Sequence, residues 1–296
     1  MLSRKRIMKV ALETVSGTKV AGTAACLVED LEIKPTSPFQ QRLGGGLYLG
    51  KNAAGVLGER SGMCSFKIEL RSTAGVTFTM AKAQYKELAL GDRDGLQIYD
   101  AQVDLNNSSG NDFLTIAKGA GTLGSGLDEL FKASGFILTS TTYGPHSVQD
   151  DQKTLSIDVW EDGVKKGLAG AQGKMTVEVE SGKRVMLKFE FLGVWQTPSA
   201  EAMPAFAPGT TAVQRAQGGA FTIGGTAKKI SKMTIEVGQN VVPRMDVNAA
   251  GGIAYYSITD YDPTAGFDLE AEAVGTYDIN AIWLAGTEAA IVLTTA

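Results

Sequence analysis

Ser65-Phe-Lys-Ile-Glu-Leu-Arg71 is followed further on by Leu127-Asp-Glu-Leu-Phe-Lys-Ala-Ser134 and then by Phe136-Ile-Leu-Thr-Ser-Thr-Thr142. A second passage of the same kind runs Gly266-Phe-Asp-Leu-Glu-Ala-Glu-Ala273, Asp278-Ile-Asn-Ala-Ile-Trp-Leu-Ala285 and Ala289-Ala-Ile-Val-Leu-Thr-Thr295. Each copy reads as a strictly alternating strand, a short helix and an apolar strand ending in Thr. Repeated units pack on one another or on copies in other chains, so the repeat points toward self-assembly. A hairpin and further strands follow the first copy, whereas nothing follows Ala296. The second unit is therefore either completed by strands of another subunit or a reduced one, and both readings stand at this point.

The composition fits a strand-and-turn protein. Among 296 residues there are 36 Gly and only 8 Pro, and 44% are hydrophobic, enough for a sizeable core. A net charge of −4 lacks the basic footprint of a duplex-binding protein. Cys26, Cys64 and the single histidine, His146, do not make a zinc-binding spacing, so the thiols read as buried side chains of a reducing compartment. Lys9 and Glu13 break any apolar run behind the basic start, which excludes a signal-peptide core. No stretch reaches the about 18 apolar residues of a membrane span.

Outward from the repeat, residues 10–33 read as strands. Residues 34–62 carry Pro35, Pro38 and Gly44-Gly-Gly46 and read as a long loop or loose hairpin, a segment free to meet a neighbouring subunit. Residues 76–105 suggest more strands. From 153 to 195 the pattern is all β, with turns at Asp162-Gly163 and Ser181-Gly182. Residues 199–219 read as a linker between a first unit, 1–198, carrying an inserted segment near 76–118, and a shorter second unit, 220–296.

Several motifs invite a chemical reading. Gly119-Ala-Gly121-Thr-Leu-Gly124 matches a dinucleotide fingerprint between a strand and a helix. The helix is too short for a βαβ crossover, no acidic residue follows to hold a ribose, and hairpins come next. The glycines read as a loop, and no cofactor is expected. Asp128 and Glu129 suit a helix N-terminus. His146 lies in a turn with no nucleophile elbow. Asp246, Asp260 and Asp262 lack a calcium-loop pattern. No catalysis is expected. Asp268, Glu270 and Glu272 alternate on one strand, and Glu178 and Glu180 on another. They read either as a solvated face or as a negative wall that repels phosphate.

Taken in order, these segments resemble the tail tube proteins of long, non-contractile-tailed bacteriophages. Met63-Cys-Ser-Phe-Lys-Ile-Glu-Leu-Arg-Ser-Thr-Ala-Gly75 is similar to that family's alternating strand and small-residue turn, and Leu127–Phe136 to its short helix with a Gly-Phe exit. Leu155–Trp160, the turn at Asp162-Gly163 and Gly167–Gly173 resemble its hairpin. Gly173–Gly193 is the most specific match, a Gly-framed strand–turn–strand. Ile230–Arg244 and Ile258–Glu272 resemble a second tube-like half.

The resemblance implies a mainly β fold, a sandwich or barrel with short flanking helices and an internal duplication. It implies a structural virion protein that assembles with itself into rings stacked helically as a tail tube, made in the host cytoplasm and residing in the virion tail. DNA and a tape measure protein would pass through the lumen; no membrane is involved. If both units join the inner barrel, three chains form a pseudo-hexameric ring; if one does, six are needed. The repeat favours three. Asp268, Glu270, Glu272, Glu178 and Glu180 are then candidates for the lumen wall. Arg4, Lys5, Arg6, Phe39 and Arg42 are candidates for contacts between rings. A secretion-tube subunit or a tail adaptor is the alternative, and a nucleotide-dependent enzyme a more distant one.

Overall fold

The computed structural model describes residues 6–43, 52–105, 113–148, 151–207 and 209–296. Its elements, in chain order, are β1 (Arg6–Leu12), β2 (Ala24–Cys26), β3 (Val28–Pro35), β4 (Phe39–Leu43), β5 (Asn52–Leu57), β6 (Ser61–Glu69), β7 (Thr77–Arg93), β8 (Leu96–Leu105), β9 (Thr115–Ala117), α1 (Leu127–Ala133), β10 (Phe136–Thr139), β11 (Thr142–Pro145), β12 (Leu155–Glu161), β13 (Val164–Glu180) and β14 (Met186–Ala200). The remainder are β15 (Ala220–Ile223), β16 (Thr226–Ala227), β17 (Lys232–Glu236), β18 (Gln239–Met245), β19 (Ile253–Tyr261), β20 (Thr264–Glu270), α2 (Ile279–Leu284) and β21 (Ala289–Thr294). The protein is mainly β, with two short helices, as its Gly- and β-branched-rich composition predicts.

Eight strands form one antiparallel wall in the order β3-β6-β14-β13-β17-β20-β8-β7. Alternation makes one face of it apolar. Phe66 and Ile68 of β6, Leu187, Phe189 and Phe191 of β14, Met175 and Val177 of β13, Ile235 of β17 and Phe267 and Leu269 of β20 are all buried. The opposite face carries polar side chains. β1, β2 and β12 cover the apolar face near β13, and α1 adds Leu130 and Phe131. Phe131 packs 6.5 Å from Phe189, which in turn stacks 5.7 Å from Phe191 and 5.6 Å from Phe66. In the other half, Phe267 packs against Tyr85 and Phe221.

The wall divides into two panels joined at β13–β17. In the first, the β13–β14 hairpin is followed outward by β6 and β3; in the second, the β7–β8 hairpin is followed by β20 and β17. Between β3 and β6 the chain makes the β4–β5 hairpin, and between β17 and β20 the β18–β19 hairpin. Each panel has a helix downstream of its third strand, α1 after β6 and α2 after β20. The segment 34–62, read as a loop or loose hairpin, thus contains a hairpin, though residues 44–51 lie outside the described set.

The hairpin that closes the second panel comes from residues 77–105, upstream of everything else in that panel. β8 pairs with β20 from Ile98↔Glu270 to Asp104↔Thr264, and β7 pairs with β21 from Thr77↔Thr294 to Ala83↔Ala289. Residues 77–105 of this chain thus supply the strands beside β20 and β21. A unit assembled from distant segments shows no closure in a linear reading. The strands following the two helices also differ: among the described residues β10 pairs only with β11, while β21 lies between β7 and β15.

The segment 199–219 does not behave as a free linker along its whole length. β14 runs to Ala200, and the Gln214 N–H donates to Leu70 O while its carbonyl accepts the Val185 N–H. Buried Gln214 also binds Ser72 O through its amide, which pins the strand ends of β6 and β14 together. The two turns read from sequence take the backbone they require: Asp162 and Gly163 have φ of 48° and 83°, and Gly182 has φ of 77°.

Candidate functional site: the wall and its edges

The polar face of the wall is of mixed sign. Glu178 pairs with Lys67 at 3.5 Å and Glu180 with Lys183 at 2.6 Å. Lys188 stands opposite Lys67 and Thr176, and Lys174 opposite Glu190. The face thus mixes opposite-charge neighbours, Lys174 with Glu190, with a like-charge pair, Lys188 with Lys67, and is not an all-acidic surface.

Asp268 departs furthest from its expected place. It is 1% exposed and cannot line a solvent-facing wall. It accepts the N–H groups of Ser231 and Lys232 at 2.7 and 2.8 Å, the Ser231 hydroxyl, and the Arg93 guanidinium at 3.0 Å. A carboxylate that accepts this many donors ties the tip of the β7–β8 hairpin to the start of β17. Glu270 is half-buried and pairs with Lys229 at 3.2 Å. Glu272 lies past the end of β20 and holds Lys228 at 2.9 Å; the Lys228 ammonium is buried and sits 3.8 Å above the Tyr277 ring. The acidic stripe is therefore an anchor, not a bare negative band.

Burial acts to raise the Asp268 pKa, but the Ser231 hydroxyl, the two backbone N–H groups and Arg93 outweigh it and hold it below the ordinary carboxylate value. A folded-state value below the unfolded one adds stability above the unfolded pKa, about 3.9, and that stability disappears as the pH falls further. Asp268→Asn is expected to lower Tm at pH 7, and the gap from the wild type to narrow as the pH is taken below about 4. Thermal melts across that range check this; a gap that stays constant refutes it.

Of the candidates for contacts between rings, Arg4 and Lys5 lie outside the described residues. Arg6 is not free: its guanidinium binds Glu161 at 2.6 and 2.9 Å and Leu31 O at 2.6 Å. It fastens β1 to β12 and β3, since a basic residue at a strand end met an acidic one in register. Phe39, 68% exposed, and Arg42 stand on the β4–β5 hairpin, beside exposed Val56 and Leu57.

The motifs that invite a chemical reading are held by contacts within the fold. In the Gly119–Gly124 loop, the N–H groups of Gly121, Thr122 and Gly124 are taken by Lys118 O, Thr73 Oγ1 and Arg71 O. A Cβ at Gly121 or Gly124 would come within 2.9 Å of Ala74 or Arg71, so these glycines serve close backbone packing. α1 behind them has 7 residues. Asp128 accepts the Tyr143 hydroxyl at 2.6 Å and Lys132 at 2.7 Å. His146 meets Asp151 at 3.0 Å. Cys26 and Cys64 are buried and unbridged, and burial pushes the Cys26 thiol up to about 12. Among the described residues, no group of three or more His, Cys, Asp or Glu could hold a metal ion, and no helix is long and apolar enough to cross a membrane.

One polar cluster escapes a sequence reading. Glu13, just past β1, is buried and accepts Thr154 Oγ1, Ser156 Oγ and the N–H groups of Gly17 and Gly170, all at 2.7–2.8 Å. Asp158, also buried, accepts the Gly22 N–H at 2.9 Å and pairs with Lys19 at 2.8 Å. Ser156 and Asp158 alternate with Leu155, Ile157 and Val159, which reads as a solvent face; residues 17–22 lie over it.

What remains conspicuous are the two outer edges of the wall. Among the described residues, β3 pairs only with β6, and the stretch 87–93 of β7 pairs only with β8. Unpaired edges offer backbone N–H and C=O groups to another strand. No protein-family model matches the chain, and no curated protein matches it.

Proposed function

We propose that this chain is a structural subunit that assembles with itself into stacked rings, as the tail tube of a long-tailed bacteriophage. The observation that carries the reading is the eight-stranded wall, apolar on one face and polar on the other, ending on both sides, among the described residues, in a strand edge without a partner: the outer edge of β3 and the stretch 87–93 of β7. The strands alternate in direction across an even number, so a copy placed beside another meets it antiparallel, and the same contact repeats until a ring closes. Closure removes the exposed edges that a lone sheet would carry as a hazard. Two four-stranded panels per chain favour three chains and six panels per ring. The polar face of mixed charge then surrounds the lumen, where DNA and a tape measure protein would pass. The β4–β5 hairpin, with Phe39, Val56 and Leu57 exposed, is a contact toward the next ring.

Negative-stain microscopy and sedimentation velocity on the purified protein test this. Rings or tubes are expected as concentration rises. A monodisperse monomer at every concentration refutes the proposal, and rings that never stack favour an adaptor instead.

A further inference from the structure

The seam between copies can be read from a junction the chain makes with itself. The two panels correspond strand for strand: β3 to β17, β6 to β20, β14 to β8 and β13 to β7. Register fixes the correspondence within each strand. Phe66 of β6 and Phe267 of β20 occupy matching places, opposite Phe189 and Ala101 respectively. Phe189 is paired with Met175, and Ala101 with Leu88. Val177, two residues beyond Met175, therefore corresponds to Leu90, two beyond Leu88. On the other side of each panel, Ile33 opposite Cys64 corresponds to Ile235 opposite Ala265.

The first panel meets the second where Val177 lies directly across from Ile235, both fully buried. The second panel ends at β7 with nothing across from it over residues 87–93, and the first begins at β3 with nothing across its outer edge, among the described residues. Leu90 is 56% exposed, although it alternates in step with Leu88 and Tyr85 on the core-facing side of its strand. Among the described residues no strand lies on the outer side of Leu90, so its side chain has no neighbour on that edge. Ile33 is half-buried in the same way on β3.

We infer that β7 of one copy pairs antiparallel with β3 of a second copy in the register of the β13–β17 junction, setting Leu90 across from the second copy's Ile33. The same register places Ala89 across from Lys34 and Gly91 across from Glu32, as Thr176 stands across from Glu236 and Glu178 across from Thr234. The shape of the contact supports this as well. Gly91 adds no side chain where Glu32 approaches, and the pair of Leu90 and Ile33 continues the apolar layer from one chain into the next. The inference rests on the proposed ring assembly and specifies its lateral contact.

The test is a cysteine pair. Directly opposed residues of an antiparallel ladder have Cα atoms about 4.5–5.5 Å apart, within disulfide range. In a chain that also carries Cys64→Ala, because Cys64 lies directly opposite Ile33 and would compete for it, Leu90→Cys and Ile33→Cys together are expected to give covalent multimers on assembly with oxidised glutathione, which takes up the two electrons. Either single variant should give none, and Leu90→Cys with Lys34→Cys, which point to opposite faces, far less. Leu90→Lys is expected to abolish rings and tubes while leaving Tm of the monomer within a degree or two. Assembled wild-type rings whose 90/33 pair does not cross-link, or that survive Leu90→Lys, overturn the register but leave ring assembly standing. A wild type that never assembles overturns both.

Discussion

Phe189→Ala should unfold much of the first panel's stability. Phe189 is fully buried, lies within 5.6–6.5 Å of the rings of Phe66, Phe191 and Phe131, and connects the wall to α1. Truncating a buried Phe removes its transfer free energy and leaves a cavity that the rigid strands β6 and β13 cannot fill, a loss of about 3–5 kcal/mol. Denaturant unfolding at pH 7 measures it. Phe189→Leu, which keeps most of the volume, is expected to lose less than half as much. Equal losses for the two variants would show that the aromatic cluster is not tightly packed.

Glu13→Ala should be nearly as damaging, for a different reason. The carboxylate accepts the N–H groups of Gly17 and Gly170, and Gly170 takes φ of 58° at the irregularity where β13 turns from β12 toward β17. Removing the side chain leaves the buried Gly170 N–H and the part-buried Gly17 N–H without their acceptor, at a cost of roughly 3 kcal/mol. The hydroxyls of Thr154 and Ser156 can rotate, whereas the backbone donors cannot. Glu13→Gln is therefore no rescue, because its NH₂ must face one of those N–H groups. Thr154→Val should cost markedly less than either. A drop in Tm on the order of 10 °C for Glu13→Ala is the expected reading. If Glu13→Gln melts with the wild type, the carboxylate is not the anchor described.

Both residues act through the same element. β13 is the longest strand of the first panel and the partner of β17, so anything that loosens it loosens the one seam where the two panels meet. The wall has to be stiff along its length if copies are to pair edge to edge in a fixed register.

Much of the local structure was legible along the chain. Alternation in 65–71, 174–180, 185–191 and 266–270 marks strands with one apolar face, and Asp162-Gly163 and Ser181-Gly182 mark hairpin turns, because both signals depend only on neighbours a few residues away. The short helices of both repeat copies follow from the same local pattern. The repeat suggested two related units.

The tertiary structure alone decided how those units are completed. Residues 77–105 close the second panel from far upstream, because hydrogen-bonded ladders join whichever edges meet in space, regardless of order in the chain. It also decided the fate of the acidic side chains. Asp268, Glu13 and Asp158 sit at positions that alternation assigns to solvent, yet each is buried by a segment remote in sequence whose backbone donors need an acceptor. Which polar face stays wet is a property of what packs over it, and a one-dimensional pattern carries no record of that.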